Sequence, residues 1–340
     1  MLVAVGLALI FLAPLAKFYV TPRVRKLPLD LYSRNVSDGT GTYLDPGKGF
    51  VDVGPVHLRD IRIVKGDVSA GSRGVAVWDS FDSTFDVQNH HELSYAIERY
   101  TLDRRTGQSV RCCGENLDRG GALSLTFPLG AGKQSYPWWD GTAKAAFPMR
   151  YAGTVKLFGL SLYHYRQTIE PTIINHLTLP GTTIGEPEAG LVRLDWWYRA
   201  DTDVLVEPTT GAPVRGTQSA DQWLADSTGA RKLTVATTRF AQSPATVKTL
   251  VDYANGLRKQ LLLVQSFLPA FGWIIGLVLL AFGLLLLLRS AAPAGLAVAP
   301  AGGQAVISGN GAAAAEARRG APAQSAAIII EETSDTGPSA

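Results

Sequence analysis

The residues best suited to bind a metal ion are a histidine pair followed by a glutamate. His90, His91 and Glu92 are consecutive. Neighbouring side chains on a strand point to opposite faces, so one metal ion could collect them only on an irregular loop. We therefore interpret them as polar residues near a strand end and predict no metal site.

Aspartates occur in two further groups. Asp79, Asp82 and Asp86 are close in sequence, but on a strand only Asp82 and Asp86 share a face, which makes calcium binding the weaker interpretation. Asp201 and Asp203 resemble the Asp-x-Asp of sugar-nucleotide enzymes. No nucleotide-binding pattern surrounds them, so a turn is the better interpretation.

Familiar catalytic and cofactor signatures are missing from the sequence. It has no Gly-x-Ser-x-Gly elbow, phosphate-binding loop, His-Glu-x-x-His motif or dinucleotide fingerprint. We therefore predict a protein that is not an enzyme, without catalytic residues and without a cofactor. A hydrolase or transferase is the alternative, and it would need two carboxylates facing each other in a deep cleft.

The two cysteines of the chain are adjacent. Cys112 and Cys113 are too close in sequence for ordinary zinc-ligand spacing. Two interpretations remain: a pair of unpaired small core residues, or a disulfide between neighbours. The disulfide would place the domain in an oxidising compartment.

Aromatic residues are the stronger candidates for a binding site, and they form two compact groups. Paired tryptophans on a strand place one ring on each face, so one can pack in a core while the other lines a groove. A pocket for an acyl chain or a sugar is the functional interpretation, because such sites have apolar, aromatic walls. Ordinary β-core packing is the alternative. The candidate ligand-binding residues are Tyr136, Trp138, Trp139, Trp196, Trp197 and Tyr198.

These residues fall in a middle region whose pattern is typical of β-strands. Alternating or β-branched runs are separated by turn signals such as Lys65-Gly66-Asp67. No long amphipathic helix interrupts the runs, which argues against parallel βαβ units. We predict a mainly β, antiparallel domain over residues 21–242, with strands at 56–68, 75–87, 93–102, 122–127, 151–170, 191–200 and 231–240.

A faint internal repeat suggests two related β-lobes. Glu98-Arg99-Tyr100 precedes Thr106-Gly107, and Trp197-Tyr198-Arg199 precedes Thr210-Gly211. Each copy has the pattern of a strand, a turn and a returning strand. The alternative is that many unrelated hairpins share this pattern.

Apolar segments at both ends predict transmembrane helices at residues 1–20 and 261–288. No charge precedes Lys17. A cleaved signal peptide is the alternative for the first segment, but it lacks a charged start and a cut after Ala16 would leave Pro14 at position −3. The second segment has no charged residue and is longer than the ~20 residues that a bilayer core needs.

A further helix is predicted directly before the second apolar segment, over residues 243–260. Ser243 is a good N-cap and Pro244 occupies the favoured first helical position. No helix breaker follows until Pro269, so we expect one continuous helix into the bilayer with a kink near that proline. Residues 289–340 are rich in Ala, Gly and Pro, which predicts a disordered cytoplasmic tail.

Length and charge limit the domain count and the partners. About 240 residues lie between the apolar ends, enough for one large domain or two small ones. The net charge is only +3, and no dense run of Lys or Arg occurs away from the membrane flanks. We therefore predict no nucleic-acid partner.

Three motifs carry a family resemblance. Arg-Cys-Cys-Gly-Glu at 111–115, Phe-Pro-Leu-Gly at 127–130 and Tyr-Pro-Trp-Trp-Asp at 136–140 resemble the actinobacterial porin-PorA-like family, a family largely of uncharacterised domains. The apolar segment at each end fits as well, so the resemblance covers all but the tail. It implies an envelope protein with its domain outside the cytoplasmic membrane. Some mycobacterial members are linked to polar growth and to trafficking of trehalose mycolates with a large lipid exporter.

The orientation in the membrane has two interpretations. Arg23, Arg25 and Lys26 on one flank and Arg258 and Lys259 on the other would place the middle domain inside the cytoplasm by a simple count of positive charges. That rule weakens for long loops, which cross largely regardless of charge. Together with the cysteine pair and the resemblance, this leads us to predict a two-pass protein of the cytoplasmic membrane with an extracytoplasmic domain.

Two functions follow as hypotheses. The first is an envelope protein that binds a membrane lipid or glycolipid and assists its transport or cell-wall growth, with an envelope transport or growth protein as partner. The second is a membrane-tethered scaffold or sensor that binds protein partners through the β-domain and signals through the helix. A continuous apolar cavity in the middle domain would favour the first.

Overall fold

The computed structural model describes residues 1–15, 18, 19 and 25–290, and within them a large β-sheet is flanked by helices. The helices are α1 (Leu2–Leu15), α2 (Pro244–Leu262) and α3 (Leu268–Ser290), with a π-helical turn at Leu263–Phe267 between the last two. The strands are β1 (Tyr32–Asp45), β2 (Val51–Gly66), β3 (Val75–Asp86), β4 (His91–Asp103), β5 (Tyr136–Asp140), β6 (Ala145–Leu157), β7 (Leu160–Pro180), β8 (Leu191–Glu207), β9 (Ala212–Ala225) and β10 (Arg231–Gln242).

All ten strands form one sheet in the order β4-β3-β2-β1-β10-β9-β8-β7-β6-β5. Every named pair is antiparallel, so the predicted mainly β, antiparallel fold is confirmed. The first and last strands lie side by side at its centre, where Gly39 pairs with Phe240. The residues next to the membrane-directed helix are therefore held by the middle of the sheet.

The sheet curls, and the chain between β4 and β5 bridges its two edges. We call residues 104–135 the closing segment. Val110 N donates to Thr101 O of β4 at 2.9 Å, and Leu123 N donates to Pro137 O of β5 at 2.9 Å. Trp139 N donates back to Leu123 O at 2.7 Å. One face of the sheet is thus turned inward, and the closing segment fills the gap between the edges.

Several strand predictions are wrong in detail. Residues 122–127 form only a single bridge, Leu123 to Trp138, because Phe127 N instead donates to Gly211 O across the closing segment. The predicted run 151–170 is a hairpin, since Phe158 and Gly159 both have positive φ and reverse the chain between β6 and β7. Strand β1 was not predicted, and β5 and β9 were implied only by the tryptophan pair and by the returning strand of the repeat.

The predicted repeat exists as a pair of equivalent turns but not as two lobes. Gly107 N donates to Asp103 O, and Gly211 N donates to Glu207 O, each at 2.9 Å. In both turns the carboxylate accepts from the backbone N–H of the threonine three residues later. The strands around both turns belong to one continuous sheet, so separate lobes are not formed.

Helix α2 begins at the predicted cap and is anchored to the sheet. Ser243 Oγ accepts a hydrogen bond from Thr246 N at 3.2 Å. Val247, Val251 and Ala254 are buried on one side of α2 against Leu160, Leu162 and Val214. The π-helical turn then lies just before Pro269, which is where the predicted irregularity falls.

Two apolar helices lie beside each other, but only one reaches a membrane-spanning length in the described part of the chain. The continuous helical stretch Pro244–Arg289 is long and apolar enough to cross a bilayer. Helix α1 is shorter, with 14 residues, about 21 Å at 1.5 Å per residue. It packs antiparallel on α3, Gly6 against Gly276 and Val3 against Gly283. Beyond residue 290, the predicted disordered tail lies outside the described residues.

Candidate functional site: a cavity inside the curled sheet

The inward face of the sheet lines an open-sided cavity of about 1140 Å³. Its walls come from the strands on both sides of the β1–β10 pair, from the closing segment and from one side of α2. The volume lies above the ~300–1,000 Å³ usual for small-molecule pockets. The curl of the sheet, rather than any single motif, creates this space.

Charged groups cluster in the cavity on β2 and β3. Arg62 Nε donates to Asp82 Oδ2 at 2.5 Å, which joins neighbouring strands. Thr84 Oγ1 donates to Asp60 Oδ1 at 2.9 Å. Because side chains alternate along a strand, the even-numbered residues of β2 and β3 face the same way. This part of the wall is the polar end of the cavity.

Burial, and after it charge repulsion from the nearby Asp82, raise the pKa of Asp60 to about 7. The Arg62 guanidinium and the hydrogen bond from Thr84 oppose this shift but are outweighed. Asp60 therefore exchanges a proton near neutral pH while it faces the cavity. The negative charge of the polar end depends on pH in that range.

A buried arginine of the closing segment supports the neighbouring wall on β4. Arg119 Nη2 donates to Glu98 Oε2, and its Nη1 donates to Glu115 Oε1, both at 2.9 Å. Its guanidinium lies over the Tyr100 ring at 3.9 Å. Glu98 and Tyr100 line the cavity, so Arg119 holds the side chains of that wall in place. No sequence signal separates this arginine from the exposed arginines of the same segment.

Two of the six predicted aromatic residues line the cavity. Trp138 and Trp139 of β5 are both in the wall. Trp138 also stacks on Phe127 with ring centroids 4.9 Å apart. Tyr136 is instead a core residue, and its hydroxyl accepts from Gly132 N at 2.7 Å.

The second predicted aromatic group lies outside the cavity wall. Trp196 Nε1 donates to Gln222 Oε1 at 3.1 Å, and the Trp197 ring stacks on Trp223 with centroids 6.1 Å apart. Tyr198 is buried, and its hydroxyl donates to Asp140 Oδ2 at 3.0 Å. It therefore touches the site only through Asp140, which lines the cavity and whose pKa is raised by burial.

Uncharged polar groups occupy much of the remaining wall. Gln167 Nε2 donates to the carbonyl oxygens of Trp138 and Phe147, at 3.1 and 3.2 Å. Gln218 Nε2 donates to Thr202 Oγ1 at 3.3 Å. Hydroxyl and amide groups can donate to and accept from a ligand without carrying a charge. Other such residues in the wall are Ser80, Ser94, Ser124, Thr142, Thr217 and Gln242.

Helix α2 contributes a row of aliphatic side chains to the cavity, beside Thr249, Tyr253 and Gln260. Leu250, Leu257 and Leu261 line it, followed by Val264 in the π-helical turn. The cavity is therefore amphipathic, with most of its hydrogen-bonding groups on the sheet and a row of aliphatic side chains on the helix that continues into the apolar segment. Sequence reasoning missed this arrangement because the cavity-facing residues come from elements far apart in the chain.

The two cysteines form the disulfide that was one of the two interpretations. It lies in the closing segment, where Glu115 N donates to Cys112 O at 3.0 Å and Arg99 Nη1 donates to Cys113 O at 3.4 Å. Neither cysteine is among the cavity-lining residues. The pair is a structural element behind the β4 wall.

The histidine and aspartate groups are dispersed. His91 stacks on Tyr43 with ring centroids 5.7 Å apart. Asp79 pairs with Arg99, Asp82 with Arg62, and buried Asp86 accepts from Asn89 and Tyr43. Within residues 1–15, 18–19 and 25–290, no group of three or more His, Cys, Asp or Glu residues could hold a metal ion.

Known proteins share sequence with this chain over much of its length. A family model described as Porin PorA matches residues 1–285. A protein named Porin PorA from Corynebacterium amycolatum is 26% identical over 290 aligned residues, covering 64% of this chain and 75% of that protein. A solved N-terminal dehydratase from the difficidin assembly line covers 73% of this chain and 88% of its own at 11% identity, and its TM-score of 0.11 carries no argument.

Proposed function

This chain belongs to the Porin PorA family, as its motifs predict, and on that premise we propose that it is a non-enzymatic envelope protein whose cavity binds a membrane lipid or glycolipid. The bound lipid is passed on during its transport or during cell-wall growth. The observation that carries the proposal is the amphipathic cavity of about 1140 Å³ beside the membrane-directed helix.

The chemistry of the walls supports an amphiphile as the ligand. A lipid tail gains free energy on leaving water, about 0.8 kcal/mol for each buried CH₂ group, and the α2 side offers Leu250, Leu257 and Leu261. A head group needs hydrogen-bonding partners once it leaves water. The polar end and the hydroxyl and amide groups of the sheet supply them.

Membrane attachment keeps the cavity next to its ligand. Helix α3 is apolar over most of its length and ends with Arg289 in its last turn, and α1 packs along it. We propose that both helices lie in the cytoplasmic membrane and that the β-domain lies outside it, where the Cys112–Cys113 disulfide persists. A bilayer lipid can then reach the protein without crossing water.

Native mass spectrometry of the detergent-solubilised protein tests the proposal. We expect co-purified lipid on the wild type and strongly reduced occupancy in Thr84→Trp, which fills the cavity from β3. Ser83→Trp is the matched control, because this neighbouring side chain is half-buried on the other face, does not line the cavity and hydrogen-bonds Glu92. Circular dichroism verifies that both variants fold.

Two outcomes would contradict the proposal. One is a wild-type protein that carries no lipid from its native membrane. The other is equal lipid occupancy in Thr84→Trp and Ser83→Trp. Crosslinking in cells separates the partner-binding alternative, since a scaffold would capture proteins through the β-domain whether or not its cavity was filled.

A further inference from the structure

We propose that lipid enters and leaves the cavity sideways from the bilayer, along the cavity-facing side of α2 and past the π-helical turn. This inference rests on the proposed function and specifies its access path. We call Leu250, Leu257, Leu261 and Val264 the α2 wall; all four line the cavity.

The α2 wall forms one helical face. Its members are separated by seven, four and three residues, and residues at such spacings lie above one another on a helix. The face therefore runs lengthwise along the helix. Because Val264 already belongs to the π-helical turn, the cavity extends down to the beginning of the apolar segment.

Helix α2 packs against the sheet on one side and is exposed on another. Val247, Val251 and Ala254 are buried against the ends of β7 and β9. Lys248 pairs with Asp252 at 2.8 Å on an exposed face. Arg258 Nε lies 3.5 Å from Glu207 Oε1, which fixes the helix close to the turn before β9. The α2 wall is thus held facing the cavity by contacts on its other sides.

The lower end of the wall has a polar group suited to a passing head group. Gln260, one turn before Val264, lines the cavity, and its side-chain amide can donate to and accept from a ligand.

A time course of photolabelling tests the access path. The full-length protein is reconstituted into phosphatidylcholine and phosphatidylglycerol vesicles, and a phosphatidylcholine with a diazirine in its acyl chain is then added in donor vesicles. The readout is labelling of the tryptic peptide 134–144, which carries the cavity residues Trp138 and Trp139. Labelling of this peptide reports lipid inside the cavity.

A bulky side chain in the α2 wall should slow filling. We expect Leu261→Trp to lower the initial labelling rate of peptide 134–144 by roughly tenfold, because overpacking closes the path. Leu263→Trp is the matched control: it is the same substitution two residues away, at a side chain that is 52% exposed and is not part of the cavity wall. Peptide 134–144 of this control should be labelled at the wild-type rate.

The outcomes separate this inference from the function on which it rests. Equal rates in Leu261→Trp, Leu263→Trp and wild type would overturn the sideways path while leaving a lipid-filled cavity. No labelling of peptide 134–144 in the wild type, even after long incubation, would overturn the proposed function as well. The path is supported if Leu261→Trp is labelled slowly in vesicles but reaches the wild-type extent of labelling when it is mixed with the lipid in detergent. In that case the variant impairs only access from the bilayer.

Discussion

Gly276 of α3 lies in direct backbone contact with Gly6 of α1. A Cβ placed on Gly6 would be 2.8 Å from Gly276 O, and one placed on Gly276 would be 3.0 Å from Gly6 O. Gly283, two turns further along α3, makes a similar approach to Val3. Close backbone approach at small residues is how helices associate in lipid, where the hydrophobic effect gives no driving force between them.

A larger residue at this contact should separate the two helices. We expect Gly276→Leu to destabilise the helix pair by roughly 1–3 kcal/mol, since the added side chain has no space. Thermal unfolding followed by circular dichroism in detergent measures it. Val278→Leu, at a residue that is 62% exposed, is the control and should leave the transition unchanged. An unchanged transition in Gly276→Leu would show that α1 does not pack there.

The buried carboxyl of Asp60 should make stability depend on pH. Its pKa is raised to about 7 from 3.8, chiefly by burial and then by Asp82, so the folded protein binds this proton more tightly than the unfolded chain. Its contribution is therefore fully present below pH ~4 and is lost as the pH rises towards 7. Asp60→Asn should remove this loss of stability, which amounts to roughly 1–3 kcal/mol in the free energy of unfolding at pH 7.5.

Chemical unfolding between pH 4 and 8 measures the Asp60 effect. The wild type should lose stability across this range by more than Asp60→Asn does. Asp52→Asn, at an exposed carboxylate of the same strand, should keep the wild-type slope. Parallel curves for wild type and Asp60→Asn would exclude a raised pKa at this position.

Arg119 should be the most sensitive charged residue of the closing segment. Arg119→Met leaves Glu98 and Glu115 without their buried cation, and breaking a buried ion pair in this way costs about 3–5 kcal/mol. Arg111→Met is the matched control, because its partner Asp118 is 3.6 Å away and its side chain is 86% exposed. We expect a change within about 0.5 kcal/mol there. Urea unfolding distinguishes the two, and similar values would contradict the ion-pair network.

The disulfide between Cys112 and Cys113 should be present in the protein taken from the envelope. Membranes are treated with iodoacetamide before and after a reductant, and the peptide carrying both cysteines is weighed. We expect no alkylation before reduction and two adducts after it. Alkylation of both thiols without reductant would contradict the disulfide and the proposed placement of the domain in an oxidising compartment.

The strand predictions show where local patterns fail. Strand β1 has the sequence Tyr-Ser-Arg-Asn-Val-Ser-Asp-Gly-Thr-Gly-Thr-Tyr-Leu-Asp and only two fully buried residues, so neither alternation nor apolar content marks it. It is a strand because β2 and β10 pair with it on both sides. The pairing with β10 joins residues about 200 apart in the chain, a relationship that no local window contains.

The sequence alone determined those elements that are stabilised by interactions between residues close together in the chain. The Ser243–Pro244 start of α2, the long apolar helix and the mainly β character follow from capping, hydropathy and alternation, which act over a few residues. Only the tertiary structure decided which side chains share the cavity, that Arg119 is buried while Arg111 is exposed, and that Trp138 and Trp139 line the wall while Trp196 and Trp197 do not. The physical reason is that the curl of a ten-stranded sheet, closed by a segment joining its two edges, sets which faces are turned inward.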